Sequence, residues 1–211
     1  MKYYVVSDVH GFYDELIYSL KKEGFFKDKK PHKLIIDGDF FDRGKQALKM
    51  QQFILDEMVK NEVILIKGNH EDLIVEFIDN LEKYTLNIEE SHHFRNSTVD
   101  TVCQLIGKDI DFIYQNKDEV KRLMRETPYF KKIIPSCIDY YETKNYIFTH
   151  GYIPCFTTDR YGQNHFFAAD PFWRNASESR WYYARWYNGM ECNSLGVKEE
   201  GKTIVVGHWH T

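Results

Sequence analysis

Five short apolar runs are spread along this 211-residue chain, and each breaks off into a cluster of polar residues and glycine. The runs are Tyr3–Val6, Leu34–Ile36, Val63–Ile66, Tyr146–Phe148 and Thr203–Val206. They are continuous rather than alternating, the pattern of strands buried on both faces of a sheet. Between the first three lie stretches with helical spacing, Tyr13–Lys22 and about Gln46–Lys60. The opening third therefore predicts right-handed βαβ units around a parallel sheet. From about Leu73 to Asp139 the pattern is helical and polar, which predicts a helical insertion that covers or borders a site. A later helix is expected to be capped by Asn175, with Glu178 reaching back, and to stop at Asn188-Gly189. The charged stretch Lys27–Pro31 reads as a solvated turn. No repeat, low-complexity tract or linker divides the chain, so one α/β domain over residues 1–211 is expected.

Composition narrows the setting. Hydrophobic residues make up 43% and charged residues 28%, ordinary for a soluble globular chain. The net charge of -4 gives no broad basic footprint, which argues against nucleic acid or an anionic membrane as the partner. No apolar run approaches the roughly 20 residues that span a bilayer, and the N-terminus lacks a signal-peptide core. The four cysteines, Cys103, Cys137, Cys155 and Cys192, form no C-x-x-C pair. They read as reduced thiols of a cytoplasmic protein rather than a disulfide framework.

The polar clusters behind the apolar runs carry the chemistry. They are Asp8-Val9-His10, Gly38-Asp39-Phe40-Phe41-Asp42-Arg43-Gly44, Gly68-Asn69-His70-Glu71, His150-Gly151 and Gly207-His208-Trp209-His210. Loops beyond the carboxyl ends of strands converge on one crevice in an open α/β sheet. Carboxylate, imidazole and amide oxygen are the hard and borderline donors that divalent cations take. Asp8 and His10, two apart, would face alike on extended backbone and grip one ion, and Asp39 has two oxygens with which to bridge a pair. Glycines before Asp39, Asn69 and His208 allow sharp turns and close approach. Singly, each cluster has a plain explanation: a chance Asp-x-His, a helix cap, an interior histidine, a surface pair. Their common position after a strand argues for a site. Glu71 alone reads best as a first-turn carboxylate favoured by the helix dipole.

In this order the clusters resemble those of the calcineurin-like metallophosphoesterases, in particular the PPP-type Ser/Thr protein phosphatases and their bacterial and phage relatives. The resemblance runs from Asp8 to His210 and implies an αββα sandwich with a helical insertion at about 73–139. It also implies two divalent metal ions, manganese first, with iron or zinc as alternatives. Asp8 and His10 would hold the first ion, Asp39 would bridge, and Asn69, His150 and His208 would complete the second. His210 follows the Gly-His-x-His pattern of the wider family and is assigned to the first ion. The implied reaction is hydrolysis of a phosphomonoester by a hydroxide bridging the two metals. Arg43 would grip the phosphate, and His70, oriented by Asp42, would protonate the leaving oxygen.

A second phosphate-binding arginine is expected, and Arg185 is preferred over Arg174 and Arg180. Trp173, Trp181 and Trp186 read as core or packing residues, with an aromatic wall for a base as the other possibility. A phosphoprotein or small phosphate ester is the expected substrate. Symmetrical dinucleoside tetraphosphate hydrolysis and a silent metal-bound scaffold are the alternatives. Asp42 leans toward the first reading, since some dinucleoside polyphosphate hydrolases lose it. Because the sequence ends just after His210, the second sheet is expected to be shortened or the sequence to be part of a longer chain.

Overall fold

The computed structural model describes residues 1–83, 91–160 and 163–209, with the backbone alone at 157–160 and 163–167. Strands β1 (Lys2–Val6), β2 (His32–Asp37) and β3 (Val63–Ile66) form a parallel sheet in the order β1-β2-β3. Helices α1 (Tyr13–Lys22) and α2 (Ala47–Lys60) make the two crossovers. Helix α3 (Asn69–Asp79) leads into α4 (His92–Arg95), α5 (Thr98–Ile106), α6 (Ile110–Gln115) and α7 (Lys117–Glu126). A π-type turn at Tyr129–Ile133 runs on into α8 (Ile134–Ser136). After β4 (Tyr141–Glu142) and β5 (Tyr146–Phe148) come the hairpin strands β6 (Cys155–Arg160) and β7 (Gln163–Ala169). Helices α9 (Glu178–Ala184) and α10 (Gly189–Ser194) precede β8 (Thr203–Val205), which pairs in parallel with β5.

Strand alternation sorts the side chains into layers. In β2, Leu34 and Ile36 join a core with Tyr4, Leu65, Met50 and Ile54 on the helical side. Ile35, between them, faces the other way and packs with Ile66, Phe148, Tyr3, Tyr141 and Val205. That second group lies between the two sheets. On the far side, Ile147 and Ile204 pack with Trp173, Trp181 and Tyr152. The order is therefore helices, sheet, sheet, helices, and the first two tryptophans are core residues, at 0% and 2% exposed. A lone parallel bridge from Ile66 to Ile138 extends the first sheet towards the second. Among the described residues no helix is long and apolar enough to cross a membrane.

The late helix differs from expectation. Asn175 closes a short 3₁₀ turn, and α9 starts after Ser177 instead. Asn188 is not a stop: its side chain accepts from the Met190 and Glu191 amides and caps α10. An Asn-Gly pair can end one helix or begin the next, and here the amides ahead of it decide.

Candidate active site

The clusters meet at the carboxyl ends of β1, β2, β3, β5 and β8. Asp39 is central: its Oδ2 lies 3.6 Å from His10 Nε2 and 3.9 Å from His70 Nε2, and its Oδ1 lies 3.3 Å from His150 Nε2. His150 Nε2 is 2.9 Å from Asn69 Oδ1. Asp8 Oδ1 lies 3.9 Å from His10 Nε2, and Asp8 Oδ2 accepts from the His208 amide at 2.9 Å. Two triads emerge, His10–Asp39–His70 and Asp39–His150–His208, each with donor atoms within 4.8 Å of one another. They share one carboxylate.

These donors are prepared for cations. His10 Nδ1 donates to the Phe41 carbonyl at 2.9 Å, and His150 Nδ1 donates to that of Asp37 at 2.8 Å, which turns both Nε2 atoms inward. Buried polar atoms are almost always paired, yet His10 Nε2 is buried without a hydrogen-bond partner. The orphaned atom, in a set of carboxylate, imidazole and amide donors, fits a metal ion. In this charge field the pKa values diverge. Burial opposes protonation of His150, but the Asp39 carboxylate outweighs it and raises the imidazole to about 10. Burial likewise pushes Asp39 up, and His150 more than reverses this, holding the acid below its usual range. For His208 burial and neighbouring His150 act together, lowering it to about 4.

The loops achieve this by strained backbone. Asp8, His10, Asp39, Asp42, Arg43 and His208 all have φ between +49° and +68°. They are six of the eight non-glycine residues with positive φ among the described residues. The expectation that Asp8 and His10 converge by alternation on extended backbone is thus corrected: left-handed turns aim them. Glycine is needed alongside. A Cβ on Gly68 would stand 2.3 Å from Asp39 Oδ1, and one on Gly207 1.7 Å from Ser7 Oγ.

A further set of contacts surrounds His70 and Asp42. His70 Nδ1 meets Asp42 Oδ2 at 2.8 Å, and Thr98 Oγ1 donates to the same oxygen at 2.8 Å. The Asp42 amide donates to Thr101 Oγ1 at 3.0 Å, so α5 of the helical segment borders the site. Burial works against a charged His70, but Asp42 and Asp39 prevail and its pKa is raised. Arg43 Nη2 lies 3.4 Å from His70 Nε2. Glu71 does more than favour a dipole: its buried carboxylate accepts from the amides of Gly68, Asp39 and Phe40, each at 2.9 Å. It thereby welds two loops together.

Arg185 does not face the site as a phosphate ligand. Its guanidinium is fully buried, with Nε 2.6 Å from Asp72, Nη1 2.6 Å from Asp139 and Nη2 2.5 Å from Glu178. Each nitrogen meets a carboxylate and the side chain is fully enclosed, so it presents no face to a substrate. His210 lies outside the described residues. Sequence reasoning missed Ser7, whose hydroxyl has Asp8 Oδ2 and the Asp37 carbonyl both within reach of its one proton. It also missed Thr98, Thr101 and the buried Asp37, because hydroxyls and a lone acid inside a strand carry no spacing signal.

The family model for calcineurin-like phosphoesterase matches residues 1–211, and the chain belongs to that family. It is 36% identical over 76 residues to the asymmetrical bis(5′-nucleosyl)-tetraphosphatase PrpE of Bacillus velezensis, covering 33% of this chain and 30% of the relative. It is 37% identical over 73 residues to the serine/threonine-protein phosphatase rdgC of Drosophila melanogaster, covering 34% and 11%. A symmetrical bis(5′-nucleosyl)-tetraphosphatase of Buchnera aphidicola is 39% identical over 71 residues, covering 34% and 24%. The chain thus matches less than a third of the length of each of these relatives.

Proposed function

We propose that this protein is a metal-dependent phosphoesterase that hydrolyses phosphomonoesters in the manner of Ser/Thr phosphatases. Asp8, His10, Asp39, Asn69, His150 and His208 would hold two divalent cations, manganese by preference, with His210 completing the set. When bound, such ions offset phosphate charge and bring the pKa of water towards neutrality. The remaining work belongs to the side chains. Arg43 offers a planar fork of donors to the phosphate oxygens. Asp42 accepts from His70 Nδ1 and fixes the ring, leaving a proton on Nε2 for the departing oxygen. The observation that carries the reading is this His70–Asp42 pair at 2.8 Å, its Nε2 edge turned to Arg43 and Asp39. A silent scaffold has no use for an oriented proton donor. A single domain over 1–211 and a cytoplasmic setting belong to the same proposal, the latter supported by four free thiols.

Symmetrical dinucleoside tetraphosphate hydrolysis is the second reading. Trp186, 39% exposed, and Trp209, 54% exposed, both pack edge-on against His208, at 5.9 and 5.7 Å. Exposed aromatic faces beside a candidate ligand suit a nucleotide base.

The test is a Mn²⁺-supplemented panel of p-nitrophenyl phosphate, a phosphopeptide, diadenosine tetraphosphate and 5′-phosphorylated DNA. Wild type is run beside His70→Asn. A fall in kcat of about 10²–10⁴-fold in the variant is expected on substrates with a poor leaving group. Equal activity in the two proteins removes the acid role, and inactivity on all four substrates with metal bound favours a scaffold.

A further inference from the structure

Six residues along α3 from His70 there is a second set of donors that the proposed chemistry does not use. Glu76 is half-buried on α3, and α4 brings His92 and His93 against it. One carboxylate oxygen of Glu76 and one ring nitrogen from each histidine all lie within 4.8 Å of one another. The two imidazoles, adjacent in sequence, are only 3.9 Å apart between centroids and inclined by 37°. Neighbouring side chains on a helix normally diverge by about 100°, since 3.6 residues make a turn. Here they are drawn together onto one acid. His93 is buried while His92 is exposed, so the group is closed on the protein side and open to solvent on the other.

Ring packing alone explains part of this. His93 also sits 5.2 Å from Phe77, a reason for its burial. Packing does not explain why an exposed imidazole and a carboxylate join the same group. We propose that Glu76, His92 and His93 form an accessory site for one divalent transition-metal ion of the zinc class, with the remaining position open to water. Two imidazoles and a carboxylate are the borderline donors such ions prefer.

The position gives such an ion a structural consequence. Helix α3 packs on α4 and α5. Helix α3 carries His70, and α5 carries Thr98, which holds the Asp42 partner of His70. An ion joining α3 to α4 would fix the short helix that leads into α5 against the helix that carries His70. It is distinct from the cluster around Asp39 and stands whether or not that cluster works as proposed.

The test is a count of bound metal. Protein stripped with chelator is titrated with Co²⁺, followed by visible absorption and calorimetry. Wild type, His92→Gln, Glu76→Gln and, as a control on the other cluster, Asp39→Asn are compared. The expectation is that His92→Gln and Glu76→Gln each lose one equivalent of Co²⁺ relative to wild type. Asp39→Asn should retain the equivalent that those two lose. His92 is exposed, so its variant should keep the wild-type circular dichroism even if Glu76→Gln does not. The same number of equivalents in wild type and His92→Gln, with both folded, overturns the accessory site. Loss confined to Asp39→Asn does so as well, while supporting the main cluster.

Discussion

Asp37, at the end of β2, allows a quantitative test of how the site is built. Both carboxylate oxygens are buried without a partner, and the residue is 0% exposed. Burial raises its pKa from 3.8 to about 7; His150 pulls it down, and Asp8 and Asp39 push it up further. At 1.36 kcal/mol per pH unit that displacement is worth about 4 kcal/mol. The unfolded chain ionises near pH 3.8 and the folded one only near 7. The stability Asp37 contributes is therefore whole below pH 3.8 and lost as the pH rises to 7. Asp37→Asn abolishes the titration, and its buried amide would be no worse paired than the protonated acid it replaces. In the metal-free protein the variant should therefore match wild type within about 1 kcal/mol at pH 4 and be more stable at pH 8 by up to about 4 kcal/mol. For a chain of this size that is roughly 8–16 °C in Tm. Thermal unfolding of chelator-treated protein at pH 4, 6 and 8 measures the divergence. With saturating Mn²⁺ the order at pH 8 should reverse, because a nearby dication turns the same charge into an asset. A difference between the two proteins that does not vary with pH refutes the reasoning.

Two further substitutions separate positioning from binding. Gly68→Ala places a methyl group 2.3 Å from Asp39 Oδ1, so calorimetry should show Mn²⁺ binding weakened at least about tenfold by the displaced carboxylate, with overpacking costing about 1–3 kcal/mol of stability; unchanged affinity contradicts the close approach. Arg185→Leu strands buried Asp72 and should cost about 3 kcal/mol, the low end for a broken buried pair, since Glu178 is 66% exposed and Lys67 also pairs with both acids. Its KM should stay within about twofold of wild type. A large rise in KM with an unaltered Tm would restore Arg185 as a substrate ligand.

Much of this was legible in the residues. The strand at Val63–Ile66 and the helix at Tyr13–Lys22 fall where apolar spacing puts them. Asp39, Asn69 and His150 meet because each follows a strand whose neighbours are set by that spacing. What escaped sequence reasoning depends on partners distant along the chain. A phosphate-binding Arg185 could not be told from an ion-paired one because Asp72 and Asp139 lie 113 and 46 residues away. The β6–β7 hairpin went unnoticed because Thr157–Arg160 and Gln163–His165 carry polar side chains with little alternation. The left-handed turns at Asp8 and His10 were invisible too, since most residues there would prefer extended backbone.

Those turns have a bearing on how this protein will respond to selection. An L-residue in the left-handed region gives up about 1–2 kcal/mol, so six of them forgo on the order of 6–12 kcal/mol. That is comparable to the whole stability of an ordinary domain. Glycine at any of the six would relieve the backbone while deleting a side chain the chemistry is proposed to need. Asp8, Asp39 and Asp42 also accept hydrogen bonds from the His208 amide, the His70 amide and Thr98, donors that glycine would strand. A library screened for heat resistance alone should therefore drift towards glycine first at exposed Arg43, and grow sturdier as it gives up its proposed grip on phosphate.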